Sequence, residues 1–256
     1  MTETDKMPKV YGIIPARYGS KRFPGKPLAD ILGKPMFWHV FSRASKCPDL
    51  SEVFLATDDH RIEAAARELE VPVVMTRDDH PSGTDRVLEA AEKIGASDHE
   101  IVVNIQGDEP VLNPAMLSDL IRPFLLSGSR VATLAQRISR EESESPDRVN
   151  VVMSREGKGL YFSRSLIPYS RDGKDAVFYE HVGLFAFRMD MLREFVRMGP
   201  SPLEKTENLE MLRLIENDIP LHVEVTGHKS ISVDWPDDLH AVQAVMQKEK
   251  LQEAAV

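Results

Sequence analysis

Along the first half of the chain, short apolar runs alternate with stretches in which apolar residues recur every three or four positions. The runs are Val10–Ala16, Glu52–Thr57, Val71–Thr76 and Ile101–Gln106, and their near-continuous hydrophobicity suits strands covered on both faces. Between them, Met36, Phe37, Val40, Phe41 and Ala44 fall at helical spacing, as do Ile62, Ala65, Ala66 and Leu69, and then Val87, Leu88, Ala91 and Ile94. This alternation predicts βα units and an α/β protein with a mainly parallel sheet. Beyond residue 128 the expected strands, Arg130–Ile138, Val149–Ser154 and His181–Arg188, are separated by longer polar loops, so the sheet should become mixed. The charged stretch Ser139–Arg148 reads as an exposed loop, which leaves one domain over residues 1–256. Leu239, Val242, Val245 and Met246 predict a last helix from Pro236 onward, fraying at Gln252–Val256. The apolar residues of Leu184–Phe187 and Met189–Phe195 suit either the core or a C2 interface.

Composition narrows the classes. With 42% apolar and 29% charged residues the chain can bury a large core, which excludes an intrinsically disordered protein. No run approaches the roughly 18 apolar residues of a membrane span, and the first residues, Met1 to Lys6, are polar and unlike a signal peptide. A cytoplasmic protein with no membrane partner is expected. Cys47 is the lone cysteine, and the eight histidines lack zinc-ligand spacing. A net charge of −9 argues against nucleic acid as a partner but leaves room for one local basic pocket.

Such a pocket is written into the turn after the first strand. Residues 15–28 read PARYGSKRFPGKPL, and Arg17, Lys21, Arg22 and Lys26 place four cations within ten positions. A loop at the carboxyl end of a central strand is where α/β sheets hold ligands. Gly19 is expected to supply a tight turn with exposed N–H groups, and the cations could surround a triphosphate. The loop is neither GxxxxGK[ST] nor GxGxxG, which argues against a P-loop kinase and a dinucleotide oxidoreductase.

These residues resemble the opening signature of the 3-deoxy-manno-octulosonate (Kdo) cytidylyltransferases, or CMP-Kdo synthetases. Seven further motifs match in the same order: ATDD (Ala56–Asp59), MTRDDHPSGTDR (Met75–Arg86), VNIQGDEP (Val103–Pro110), LYFSRSLIP (Leu160–Pro168), EHVGLFAFR (Glu180–Arg188), SPLEKTENLEMLRLIE (Ser201–Glu216) and SVDWPDDL (Ser232–Leu239). CMP-sialic acid synthetases share a related first loop, but the form with both prolines, Pro24 and Pro27, favours the Kdo branch. The resemblance implies a Rossmann-like, glycosyltransferase-A-like three-layer nucleotidyltransferase fold. It further implies CTP and Kdo as substrates, Mg2+ as cofactor, a homodimer and a product feeding lipopolysaccharide assembly. Residues of about 130–230 would form the sugar-binding and dimerisation part. Pro15, Ala16, Arg17, Gly19, Ser20, Lys21, Arg22 and Lys26 would bind the nucleotide.

Two aspartates are candidate metal ligands. Asp108 ends the apolar run of VNIQGD, which puts a short carboxylate at the sheet edge; Mg2+ needs few protein oxygens when phosphate and water supply the rest. Asp234 follows Ile231-Ser232-Val233, expected to be a strand, and reads either as a helix N-cap or as a second ligand. The resemblance implies that both hold magnesium, with Arg17, Lys26, Asp108 and Asp234 carrying catalysis. Ser82 reads as a helix cap; the resemblance adds a contact to cytosine, shared with Gln106.

On the sugar side the resemblance implies Arg77, Arg164, His181, Glu207 and Glu210, the arginines as carboxylate or phosphate clamps. Without its motif His181 would read as a satisfied core histidine. Tyr161, Phe162 and Tyr179 read as packing residues. Three positions depart from the family pattern: Met211 replaces a glutamine, Glu180 a basic residue and Trp235 a threonine. Glu180 could meet the ammonium of an 8-amino-8-deoxy analogue of Kdo, and a nonulosonic acid is a further alternative substrate. A nucleotide-binding regulator that keeps the fold without turnover is the alternative outside enzymes.

Overall fold

The computed structural model describes residues 7–20, 22–171 and 176–253. They form two compact units, one from residue 7 to 117 together with 229–253 and the other within 118–228. In the first, β1 (Val10–Ala16) is followed by a hairpin of β2 (Asp30–Ile31) and β3 (Lys34–Pro35), then α1 (Met36–Ala44), β4 (Glu52–Thr57), α2 (His60–Glu68), β5 (Val73–Met75), α3 (Gly83–Lys93) and β6 (Ile101–Asn104). The sheet is parallel in the order β6-β1-β4-β5. Ile13, Ile14, Leu55, Val102 and Val103 are fully buried in it, as expected of strands covered on both faces.

The bounds of β1 and β4 are those expected, but two strands are shorter. At β5, Pro72 has no N–H to donate and only its carbonyl is used, by Leu55 N at 2.8 Å. At β6, Ile105 still donates to Ile13 O at 2.9 Å, after which the chain turns at Gln106-Gly107-Asp108. The β2–β3 hairpin, absent from the sequence reading, is closed by Leu32 and Gly33 at φ 52° and 86°.

The boundary between the units falls within α4 (Pro114–Leu126). The second unit contains β7 (Val131–Ile138), α5 (Arg140–Ser143), β8 (Asn150–Met153), β9 (Gly159–Ser163), β10 (Phe178–Arg188), α6 (Met189–Met198), α7 (Pro202–Glu207), α8 (Leu212–Glu216) and β11 (His222–Val225). Strand β7 pairs antiparallel with β10 and parallel with β11, and β8 pairs antiparallel with β9 and β10, so this sheet is mixed, as expected. The segment read as a polar loop contains α5, started by a capping box between Ser139 and Glu142. Leu184, Ala186, Phe187, Met189, Met191, Leu192 and Phe195 are all buried within the single chain. They are core residues, and the alternative of a C2 interface built from them is set aside. Met211 is also buried, so its thioether packs where an amide would need partners.

The chain returns to the first unit in α9 (Asp238–Glu253). Val242 and Met246 join Ile31, Met36, Val111 and Val233 in one apolar cluster, which anchors the segment carrying Asp234. No helix among the described residues is long and apolar enough to cross a membrane.

Candidate active site

At the carboxyl ends of β1 and β6 lies a cavity of about 280 Å³. Its walls include Pro15, Ala16, Arg17, Ser20, Arg22, Lys26, Ser82, Gln106 and Asp108, so three distant sequence motifs meet there. Lys26 joins them. Its Nζ donates to Asp108 Oδ2 at 2.7 Å and to the Val233 carbonyl at 2.9 Å, and Val233 N donates to the Asp108 carbonyl at 2.8 Å. Val233 is therefore tied loop to loop and not in a sheet ladder, and residues 231–233 are not the strand expected. Arg22 Nη2 lies 2.7 Å from Asp234 Oδ1 and its guanidinium 5.9 Å from the Trp235 ring. Asp234 thus meets a loop cation; α9 starts four residues later, which removes the N-cap reading. Arg17 has no carboxylate partner among the described residues, and Lys21 lies outside them.

The loop's shape comes from Gly25 and Tyr18. Gly25 has φ 72°, and a Cβ there would stand 3.1 Å from the Tyr18 ring. Gly19 sits at the centre of the tight turn expected of it, with Ser20 N donating to the Tyr18 carbonyl at 2.9 Å, but with neither a left-handed φ nor a crowded Cβ the turn does not require glycine. Tyr18 also carries the Arg61 guanidinium, 3.4 Å from the ring centroid, and Arg61 is held by Asp59 through bonds of 2.9 and 2.6 Å. Gly107 lets the QGD turn close on β1, because a Cβ would lie 2.8 Å from the Pro15 carbonyl oxygen. Beside Asp108, Glu109 is buried with Oε2 unpartnered; burial first, and then the Asp108 charge, push its carboxyl up to about 7.

Ser82 both lines the cavity and caps α3, its hydroxyl accepting from Asp85 N at 3.2 Å. Two titratable lining residues escaped the sequence reading. Arg86 is buried and donates to Thr76 Oγ1 at 2.6 Å and the Arg77 carbonyl at 3.2 Å, with Asp58 Oδ1 at 3.0 Å. A cation inside the apolar stripe of Val87, Ala90 and Ala91 was the signal available. His80 bonds Glu89 through Nε2. Burial pushes the Glu89 carboxyl up, but donors from Lys93, the Arg77 N–H and His80 outweigh it and hold the group at about 2. Arg77 does not line this cavity; its exposed guanidinium stands 3.5 Å from Glu89 and 3.6 Å from Asp79.

In the second unit, Glu207 accepts from the Ser163 hydroxyl at 2.7 Å and from Arg164 N at 3.1 Å, while Arg164 Nε donates to the Glu207 carbonyl at 3.2 Å. This pins the end of β9 to α7. Glu210 follows in the turn before α8 and is half-buried. Glu180 accepts from Arg148. His181 is buried between the rings of Phe162 and Phe185, 5.3 Å from each, with Nε2 2.8 Å from Thr133 Oγ1. Burial pushes its imidazole down to about 3. From the ordinary histidine value near 6.5 down to about 3, the unfolded chain holds a proton that folded His181 does not, so stability falls as pH drops through that window. Denaturant melts from pH 7 to about 5 should lose up to about 1.4 kcal/mol per pH unit from this group, a slope that His181→Gln removes. Equal slopes for the two proteins would exclude His181 as its source.

A model of the cytidylyltransferase family matches residues 11–225. A 3-deoxy-manno-octulosonate cytidylyltransferase of Nitratidesulfovibrio vulgaris is 56% identical over 91% of this chain and 94% of its own length. The counterpart from Oleidesulfovibrio alaskensis is 57% identical with the same coverage. Among solved structures, a CMP:2-keto-3-deoxy-manno-octonic acid synthetase complexed with CTP superposes with TM-score 0.90 at 42% identity, covering 94% of this chain and 99% of that one. A 4-diphosphocytidyl-2C-methyl-D-erythritol synthase shares the fold, with TM-score 0.65 at 13% identity and coverage of 94% and 100%. With Lys26 of its first loop bonded to the QGD aspartate and a relative 56% identical over 91% of its length, the chain belongs to the 3-deoxy-manno-octulosonate cytidylyltransferase family.

Proposed function

We propose that this protein transfers the cytidylyl group of CTP to the anomeric hydroxyl of Kdo, giving CMP-Kdo and pyrophosphate. The observation that carries the reading is Lys26, which spans Asp108 and the Val233 carbonyl and so ties the VDWP segment to the first loop and the QGD turn, the two motifs that line the cavity with Lys26 itself. Arg17, Lys21, Arg22 and Lys26 receive the triphosphate. The sugar hydroxyl oxygen attacks the α-phosphorus in line; the new O–P bond forms as the bond to the β-phosphate oxygen breaks, and pyrophosphate leaves with the electron pair. The hydroxyl proton passes to water. Negative charge grows on oxygens that the loop cations already face, so positioning and electrostatics lower the barrier. Ser82 and Gln106 meet the base; Arg77, Arg164, His181, Glu207 and Glu210 belong to the sugar side of the same reading.

Magnesium suits this donor set. Asp108 and Asp234 present hard oxygens, and an orphaned carboxylate oxygen of Glu109 lies buried next to Asp108. No group of three or more His, Cys, Asp or Glu side chains among the described residues could hold a metal, so the ion would draw its remaining ligands from phosphate and water. Bound there, it would neutralise charge on the transferring phosphate. A homodimer and a cytoplasmic location complete the proposal; Leu160, Tyr169 and Val177 are exposed apolar side chains of the second unit that a partner copy could cover.

The Arg148–Glu180 pair supports plain Kdo over the 8-amino analogue, because the carboxylate considered for an ammonium already holds a guanidinium. Pyrophosphate release from CTP, measured over a panel of sugar acids, tests the function. Release that depends on Kdo and falls with the amino analogue or a nonulosonic acid is expected. Preference for another acid would overturn the substrate assignment, and CTP binding without release would mark a regulator.

A further inference from the structure

A second concavity, of about 620 Å³, opens between α1 and α9 and shares no lining residue with the nucleotide cavity. Lys34, Arg43, Lys46 and Lys250 line it, together with one carboxylate, Glu249. Arg43 takes that carboxylate. Lys34, Lys46 and Lys250 make no ion pair with a carboxylate among the described residues, so three ammonium groups stand unneutralised in one groove of a protein whose net charge is −9. Like charges gathered on a concave, partly apolar wall repel one another and focus a positive potential outward. His39 is pushed down chiefly by burial, against its hydrogen bond to Ile31 O at 2.7 Å; the charges of Arg43 and Lys250 push it further down and that of Asp30 opposes them. The groove also has a flat aromatic wall. Trp38 is half-buried, with Lys34 Nζ 5.5 Å from its ring centroid, and the volume lies within the range of small-molecule sites.

We propose that this groove is a second anion site, which takes a nucleoside polyphosphate with its phosphates on Lys34, Lys46 and Lys250 and its base against Trp38. An inorganic anion would satisfy the ammonium groups alone; the indole beside them gives a ringed ligand the advantage. This goes beyond the transferase reading and does not depend on it.

Trp38 and Trp235 are the two tryptophans of the chain, so a Trp235→Phe protein reports Trp38 fluorescence alone. ATP is the probe, because the catalytic cavity is assigned to CTP. The expected result is saturable quenching by ATP that persists when Lys26→Met is added and weakens by about tenfold or more with Lys46→Glu and Lys250→Glu together. Both lysines are exposed, and a thermal melt checks that the charge reversals leave the fold intact. Inorganic pyrophosphate should compete, but more weakly than ATP. A flat titration, quenching lost with Lys26→Met, or quenching indifferent to the charge reversals would each overturn the proposal.

Discussion

Replacing Asp108 by asparagine should lower kcat by about three orders of magnitude while CTP still binds. Asparagine keeps the shape and one acceptor oxygen, so Lys26 Nζ retains a partner there as well as the Val233 carbonyl at 2.9 Å. The cavity walls and the cations that receive the triphosphate remain. What is lost is a unit of negative charge at the point where the phosphate, the loop cations and the proposed magnesium meet. An interaction needed only as the phosphorus is attacked affects kcat; one made equally in the ground state affects binding. Steady-state rates together with calorimetric CTP titrations separate the two. An affinity that falls as far as kcat would show that Asp108 serves only to bind nucleotide.

The largest effect on stability is expected at Arg213. Its guanidinium meets Glu204 through bonds of 2.8 and 2.6 Å, donates to the Phe195 carbonyl at 2.9 Å and lies 4.2 Å from the centroid of the Phe195 ring. Both partners are buried. Arg213→Met would leave the Glu204 carboxylate without its counter-ion, although Ser201 N still donates to it at 3.1 Å. Breaking a buried pair in this way costs about 3–5 kcal/mol, which for a protein of this size corresponds to a melting temperature lower by roughly 10 °C. Adding Glu204→Gln should restore part of the loss, because the stranded charge is then gone. Calorimetric melts of the single and double variants check this; a double variant no more stable than Arg213→Met would mean that lost packing, not an unpaired charge, is responsible.

Local motifs and periodicity revealed more of the fold than of the site. Val10–Ala16 and Glu52–Thr57 were legible because a buried parallel strand is a bounded apolar run. The hairpin at Asp30–Pro35 was not, since two-residue strands carry no period, and Arg140–Ser143 was hidden by its polarity although its capping box was in plain sequence. In the site, the first-loop cations and Asp108 could be picked out from their position after strands. Their partners could not: Lys26 is 82 residues from Asp108 and 207 from Val233, and no spacing rule reaches that far. Tertiary contact likewise decided which glycine matters in the loop, since the ring of Tyr18 crowds Gly25 and leaves Gly19 open.

The central claim is that the first-loop cations and Asp108 surround the triphosphate of CTP. A crystal structure of the protein with CTP and magnesium tests it most directly. The phosphates should lie within hydrogen-bonding reach of Arg17 and Lys26, with a metal ion on Asp108. Phosphates seated away from Lys26 and Asp108, for instance only among Lys34, Lys46 and Lys250, would contradict it.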